Sequence, residues 1–366
     1  MAVTFSAIPS LSEVGAVPSG ITFFDNHDGT ATLAGMPATG TGGLYRITVT
    51  AHNGVGPDAV QNFYVPVQQA PAIMSAADTT FTVGRPGTFT VTDTGFGAPA
   101  LSESGALPAG LAFNAATGVL GGTPAAGSAG AYHLTFTASN GVGPNATQTF
   151  TLSVLTPQAH FVQALYLDEL GRSGDLSSLS DAGFWVQVFS DGIANQATVA
   201  AAIEHSPEAR AHLVAVWYQS YLGRQALNGE DLGLVNLLLQ GQTEEQVLRD
   251  ILASPEFFNH TQALIGSGTP PQREVAALYR LLLNRTASPG EVTAWVNAMS
   301  QPGAPGVAMV FLDSSEFRTR LFTSYYNVLV HRPPDILGLN ALVFSKFDAD
   351  VVRLGLEASG EFFANG

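Results

Sequence analysis

YQSYLGRQALNGEDLGLVNLLLQGQTEEQVLRDILASPEF, Tyr218 to Phe257, is one copy of a unit that recurs four times in the C-terminal half of the chain. Aligning the chain on itself puts a tyrosine six residues before an arginine in every copy: Tyr166 and Arg172, Tyr218 and Arg224, Tyr279 and Arg285, Tyr326 and Arg332. A serine two residues before a glutamate closes each copy, at Ser206 and Glu208, Ser254 and Glu256, Ser314 and Glu316, Ser359 and Glu361. Spacings from the upper forties to about sixty residues mark one supersecondary unit that needs neighbours to bury its apolar face.

Both landmarks have local reasons. In YLDELGR and YQSYLGR the glycine falls where a helix should end, because the residue past the last turn takes positive φ and glycine does so without strain. Asn284 and His331 hold that place in the other copies. The arginine beyond it meets the negative end of the helix dipole. Ser254-Pro255-Glu256 reads as an N-cap, a proline at the first helical position and an acid in the first turn. The arginines and glutamates can pair within a repeat, as Arg224 with Glu256, stand as solvated charges, or line a recurring ligand surface. The aromatic residues Trp185, Trp217, Trp295 and Tyr325 fall on apolar helical stripes and are expected in the core.

Residues 1 to about 156 hold two copies of a different module, seen when LYRITVTAHNGVGPDAVQNFYVPV is laid over AYHLTFTASNGVGPNATQTFTLSV. Tyr45, Ile47, Val49 and Ala51 alternate with Arg46, Thr48 and Thr50, the period of a half-buried strand. Asn53-Gly54 and Asn140-Gly141 mark the turn into a partner strand carrying Phe63 or Phe150. Short strands between Gly, Pro and Asn turns predict a β-sandwich. Thr79 to Val91 reads as a strand pair entering the second copy, and the first copy has no counterpart. The chain is therefore expected to begin inside a domain that lacks its first strands, so the missing signal peptide is no argument against secretion. The edge this leaves open is one that another chain can pair with.

The motifs Leu107-Pro108-Ala109-Gly110-Leu111 and Gly122-Thr123-Pro124, with looser matches at Val17 to Ile21 and Gly35 to Pro37, resemble the bacterial immunoglobulin-like (Ig-like) repeat family of surface proteins. The resemblance implies a tandem extracellular spacer or adhesive module. The tyrosine–arginine spacing, the Leu-Gly-Arg helix ends and the Ser-x-Glu-Phe box resemble the domain-of-unknown-function family numbered 4214, which occurs in large exported bacterial proteins and lends no established activity. Copy four departs from it with HRPP, and copy one has Ala209 where the box has phenylalanine.

The expected fold is multidomain: two all-β Ig-like sandwiches followed by two all-α helical-repeat domains. Their spans are 1–68 (lacking its first strands), 69–156, 157–266 and 271–366. The break at Leu155-Thr156-Pro157 is a change from alternating Thr, Gly and Val to helical Leu, Ala and Glu, and IGSGTPPQ, Ile265 to Gln272, separates repeats two and three.

Composition excludes several functions. The net charge is −15 with one lysine, Lys346, and the acids outnumber the bases in both halves, so no face can neutralise nucleic-acid phosphates. At 46% hydrophobic and 12% charged the chain is apolar, yet it has no run of about eighteen apolar residues to insert in a bilayer. There is no cysteine, hence neither disulfides nor thiolate chemistry. The eight histidines lack ligand spacing, and no metalloprotease, phosphate-loop or EF-hand motif occurs. Ser128 in Ala126 to Gly130 approaches a nucleophile elbow but lacks its first glycine. Asp25, Asn26 and Asp28 in DNHDG form either a hairpin turn or a weak oxygen site for calcium, the one cofactor the sequence allows.

The reading is a non-catalytic bacterial surface or extracellular structural or adhesive module. Its expected partners are other surface proteins, glycans or copies of itself. The alternatives are a targeting or tethering tail of a larger secreted enzyme, and a calcium-dependent surface-layer or filament subunit.

Overall fold

The computed structural model describes residues 7–299 and 305–365. The chain forms two compact units, one ending at Leu155 and one starting at Thr156, where the sequence composition changes.

In the first unit, the first β module contains β1 (Ser10–Gly15), β2 (Ile21–Asp25), β3 (Ala31–Gly35), β4 (Gly43–His52) and β5 (Ala59–Val67). The second contains β6 (Gln69–Ile73), β7 (Asp78–Thr82), β8 (Gly87–Thr90), β9 (Asp93–Phe96), β10 (Ala100–Ser104), β11 (Leu111–Asn114), β12 (Val119–Gly122), β13 (Gly130–Ser139) and β14 (Ala146–Leu155). The β4–β5 and β13–β14 hairpins repeat each other in register: Ile47 faces Phe63 as Leu134 faces Phe150. The Pro-x-Gly motif has a steric basis. Gly110 and Gly20 have φ of 92° and 87°, and a Cβ there would lie 2.0 Å from the Thr123 carbonyl oxygen or 2.2 Å from that of Met36. Only glycine lets the two backbones approach so closely.

The modules differ in closure. In the second, the sheets run β10-β13-β14-β7 and β11-β12-β8. The expected strand pair at Thr79 to Val91 divides between them, β7 lying parallel to β14 and β8 antiparallel to β12. It brings Phe81, Val83, Phe89 and Val91 into the core, with the Phe89 and Phe150 rings 4.8 Å apart. In the first module, among the described residues, the sheets stop at β1-β4-β5 and β2-β3. Phe150 is 1% exposed whereas Phe63, at the matching position, is 42% exposed; Leu120 and Leu33 stand at 0% and 40%.

The second unit is helical. Repeat one contributes α1 (Pro157–Leu170), α2 (Ala182–Ser190) and α3 (Gln196–Glu204). Repeat two has α4 (Pro207–Trp217), which continues through a wider π-type turn at Tyr218–Leu222, then α5 (Leu232–Leu239), α6 (Glu244–Leu252) and α7 (Pro255–Leu264). Repeat three has α8 (Pro270–Leu282), α9 (Pro289–Ala298) and α10 (Pro305–Leu312). Repeat four has α11 (Ser315–Leu329), α12 (Ile336–Phe344), α13 (Ala349–Glu357) and α14 (Gly360–Asn365).

Here the structure corrects the expected division into 157–266 and 271–366. All four repeats lie in one compact unit. The larger core joins repeat two to repeat three through Trp217, Val247, Phe257, Leu278 and Phe311. A second joins repeat one to repeat four through Phe161, Leu165, Ile203, Leu329 and Phe362, and a small third one within repeat four holds Phe322, Val343 and Val352. Ile265–Gln272 separates α7 from α8, with Pro270 and Pro271 opening α8, yet α7 still packs against α8. In the same way α14 packs against α1, with Phe362 and Phe161 5.7 Å apart, and so the repeats close into a ring. Along α4 and α11, Val214 and Phe322 are buried while Val216 and Val328 are exposed.

Truncation at matched positions of the β modules should separate them. Phe150→Ala should cost about 3–5 kcal/mol in chemical denaturation, as for other fully buried phenylalanines. Phe63→Ala should cost a small fraction of that. Equal losses would mean that the first module is as closed as the second.

Candidate functional site

The recurring polar motif is the first candidate, and its geometry repeats four times. The residue before each arginine is left-handed: Gly171 at φ 66°, Gly223 at 70°, Asn284 at 53° and His331 at 55°. The Tyr166 carbonyl then accepts from the amides of both Gly171 and Arg172, which turns the arginine back over the helix end. The guanidinium lies over the tyrosine ring at 5.1 Å for Tyr166, 5.2 Å for Tyr218, 4.5 Å for Tyr279 and 5.3 Å for Tyr326. The glutamates arrive on Ser-capped helices. Ser206, Ser254, Ser314 and Ser359 each accept from the backbone amide three residues on.

Arginine and glutamate meet as a fork in every repeat. Arg172 donates through Nε to Glu208 at 2.5 Å and Arg224 to Glu256 at 2.5 Å. Arg285 reaches Glu316 at 2.5 Å, and Arg332 pairs with Glu361. In three repeats a second acid holds the other edge: Asp181 on Arg172, Glu230 on Arg224 and Glu291 on Arg285. These acids stand at or near the start of the next helix: Asp181 at the N-cap of α2, Glu230 just before α5 and Glu291 in the first turn of α9. With the carbonyls of Ser173 and Gln225, all five N–H donors of Arg172 and of Arg224 are engaged. Such a clamp offers an incoming anion no free donor. The Arg172 fork holds Asp181 down at about 2, and Arg285 does the same for Glu291.

A second polar cluster, which sequence reasoning missed, lies inside the ring. Arg353 of α13 bonds Glu204 of α3 at 2.7 Å and Glu244 of α6 at 2.6 Å, and pairs with Glu169 of α1 at 3.2 Å. Arg210 of α4 shares Glu244 at 2.6 Å. Glu357 is fully buried nearby. Burial, with Glu169 beside it, pushes the Glu357 carboxyl far above the ordinary range, and burial outweighs Arg353 to lift Glu204 to about 7. The one sequence sign was an arginine inside the apolar run Val351 to Leu354.

The remaining candidates are used within turns. Asp25 accepts from the amides of Leu11 and His27, Asp28 from Thr30, and Asn26 donates to Thr30 and Thr32. Among the described residues no group of three or more His, Cys, Asp or Glu is placed to hold a metal ion. Ser128 donates to the Ala125 carbonyl at 2.7 Å rather than facing a base. Trp217 is buried, and Trp185, Trp295 and Tyr325 pack against the cores. No helix among the described residues is long and apolar enough to cross a membrane.

Removing one partner should distinguish the two clusters. Arg353→Ala strands buried carboxylates and is expected to cost about 3–5 kcal/mol in urea denaturation followed by helical circular dichroism. Arg224→Ala, at a half-exposed clamp, should cost much less. The clusters also respond to pH in opposite directions. Asp181 and Glu291 bind protons less tightly in the fold, so their contribution is present above the usual carboxylate range and is lost as pH falls towards 2. Glu204 binds its proton more tightly in the fold, so its contribution is full below about pH 4.5 and is lost as pH rises through 7. Glu204→Gln should flatten the fall between those limits, and an unchanged pH–stability curve would refute the assignment.

Residues 70–155 match the family model described as "Putative Ig domain", under a quarter of the chain. No curated protein matches. Among solved structures, the insect immune protein hemolin aligns at 19% identity over 40% of this chain and 39% of its own, TM-score 0.26. A tandem pair of titin Ig domains aligns at 14% over 41% of this chain and 83% of its own, TM-score 0.29. A putative α-galactosidase/melibiase of Bacteroides fragilis aligns at 19% over 27% of this chain and 25% of its own, TM-score 0.21. The chain thus spans about a quarter to two fifths of the length of the α-galactosidase and hemolin chains. The fold and the family match together place an immunoglobulin-type module at residues 70–155, preceded by a partial copy and followed by a ring of helical repeats.

Proposed function

We propose that this chain is a non-catalytic structural or adhesive module of a bacterial surface or extracellular protein. In this reading the Ig-like modules act as spacers, and the helical ring belongs with repeats of the 4214 type. The observation that carries it is the closure of the recurring motif. In a binding or catalytic repeat the shared polar residues would face an opening, whereas here the arginines turn onto their own tyrosines and glutamates. Immunoglobulin-type modules are suited to such work because their cores are self-contained and their loops and edges stay free.

Light scattering over a range of concentrations, once in millimolar calcium and once in chelator, tests the proposal. The expected result is mass that rises with concentration in both. A rise that chelator abolishes would make calcium the driver of assembly and the acidic turns the residues to mutate. A monomer under both conditions would remove the assembly role, and turnover in a hydrolase screen abolished by one polar substitution would overturn the reading altogether.

A further inference from the structure

Helix α12 is apolar on both of its faces. Leu339, Leu342 and Val343 belong to the small core with Phe322 and Val352. On the other face Ile336, Leu337 and Phe344 are 77%, 83% and 76% exposed, with Asn340 and Ala341, also exposed, between them. These five positions form one helical stripe. Repeat three shows that the ring does not require such a stripe. Ser288 and Asp335 each cap their helix three residues after the clamp arginine, so α9 places Pro289, Gly290, Thr293, Ala294 and Asn297 at the same exposed positions. That face of α9 is ordinary solvated surface, whereas a helix apolar all round is one that something covers.

We propose that the outer face of α12 is the contact through which two copies of this chain associate, antiparallel about a two-fold axis passing between Asn340 and Ala341. Charge decides the occupant. The stripe is bounded on one side by Asp335 and on the other by Lys346, the single lysine in a chain of net charge −15. Asp335 is held as N-cap by the Gly338 amide, which donates to it at 2.7 Å. Lys346 sits in a segment fixed by Arg318, which donates to the carbonyls of Leu342, Val343, Ser345 and Phe347. Asp335 precedes Asn340 by five residues and Lys346 follows Ala341 by five. An antiparallel pair crossing at that midpoint therefore sets each lysine beside the other copy's aspartate, and a two-fold contact makes the match twice. Leu337 then faces the other copy's Phe344, and the small Ala341 lets the helices approach at the centre. An acidic partner would oppose Asp335 with like charge and a basic one would oppose Lys346, whereas the chain itself carries both charges at the required spacing. This rests on the structural reading above and names the surface through which copies meet.

The test is sedimentation equilibrium of the intact chain in chelator, wild type against Leu337→Glu. Wild type is expected to reach a dimer mass. Leu337→Glu should weaken association at least about tenfold and leave the circular dichroism spectrum unchanged, since this side chain faces solvent and not the core. Lys346→Glu should weaken association too. Adding Asp335→Asn to Lys346→Glu should recover part of the loss, because asparagine still caps the helix while the repulsion is gone. The chain has no cysteine, so Ala341→Cys supplies one thiol beside the axis. A short bis-maleimide should join two copies there and not at the exposed control Ser267→Cys. Association that survives Leu337→Glu, no recovery in the double variant, or equal cross-linking at both cysteines would overturn this interface and leave the structural reading standing. A wild-type chain that stays monomeric, with no cross-link at position 341, would overturn the interface and the assembly role together.

Discussion

The helical unit depends on one buried arginine. Arg353 draws together Glu169, Glu204 and Glu244, and the Glu204 partner lies 149 positions away in the chain. Each of those helices has an apolar face that could be satisfied by other neighbours. A buried charge cannot be, because without its partners it costs several kcal/mol. The cluster thus ties α13 to α1, α3 and α6. Its excess of carboxylates is accommodated by protons: Glu357 and Glu204 hold theirs far above the ordinary range.

Around the outside, the same two residue types play a different part. The Arg–Glu forks are half in water, where ion pairs contribute little. Their value is angular. A left-handed residue ends the helix, the arginine folds back over its tyrosine, and the glutamate fixes where the following Ser-capped helix begins. Four repetitions of one joint, with the apolar faces turned inward, generate a ring. Repeat four keeps the joint with histidine in the left-handed place and, among the described residues, with Glu361 alone on Arg332. Its survival there indicates that the geometry matters more than the number of bonds.

The β unit repeats one hairpin and one set of turn glycines, covered by a further strand pair in the second module. The two modules share hairpin register, turn glycines and six matched core positions. What differs is the segment from Asp78 to Thr90, which closes the second module and has no counterpart among the described residues of the first. An apolar set built for a two-sided core is thereby left facing outward at Phe63 and Leu33.

Local chemistry was legible in the amino-acid sequence because each signal is written within a few residues. These were the period-two strands, the steric need for glycine in the Pro-x-Gly turns, the serine caps, the left-handed positions at Gly171, Gly223, Asn284 and His331, and the boundary near Leu155. The tyrosine–arginine spacing identified the repeat, and with it the tyrosine, arginine and first glutamate of each clamp, but not the second acids Asp181, Glu230 and Glu291. Partnership across the ring was not legible. Pro270 opens α8 and so marks a helix boundary, but whether α8 packs back on repeat two is decided by faces that meet only in three dimensions. A buried glutamate is spelled like a solvated one, and so Glu204, Glu244 and Glu357 became distinguishable from the surface acids only when the fold took water away from them.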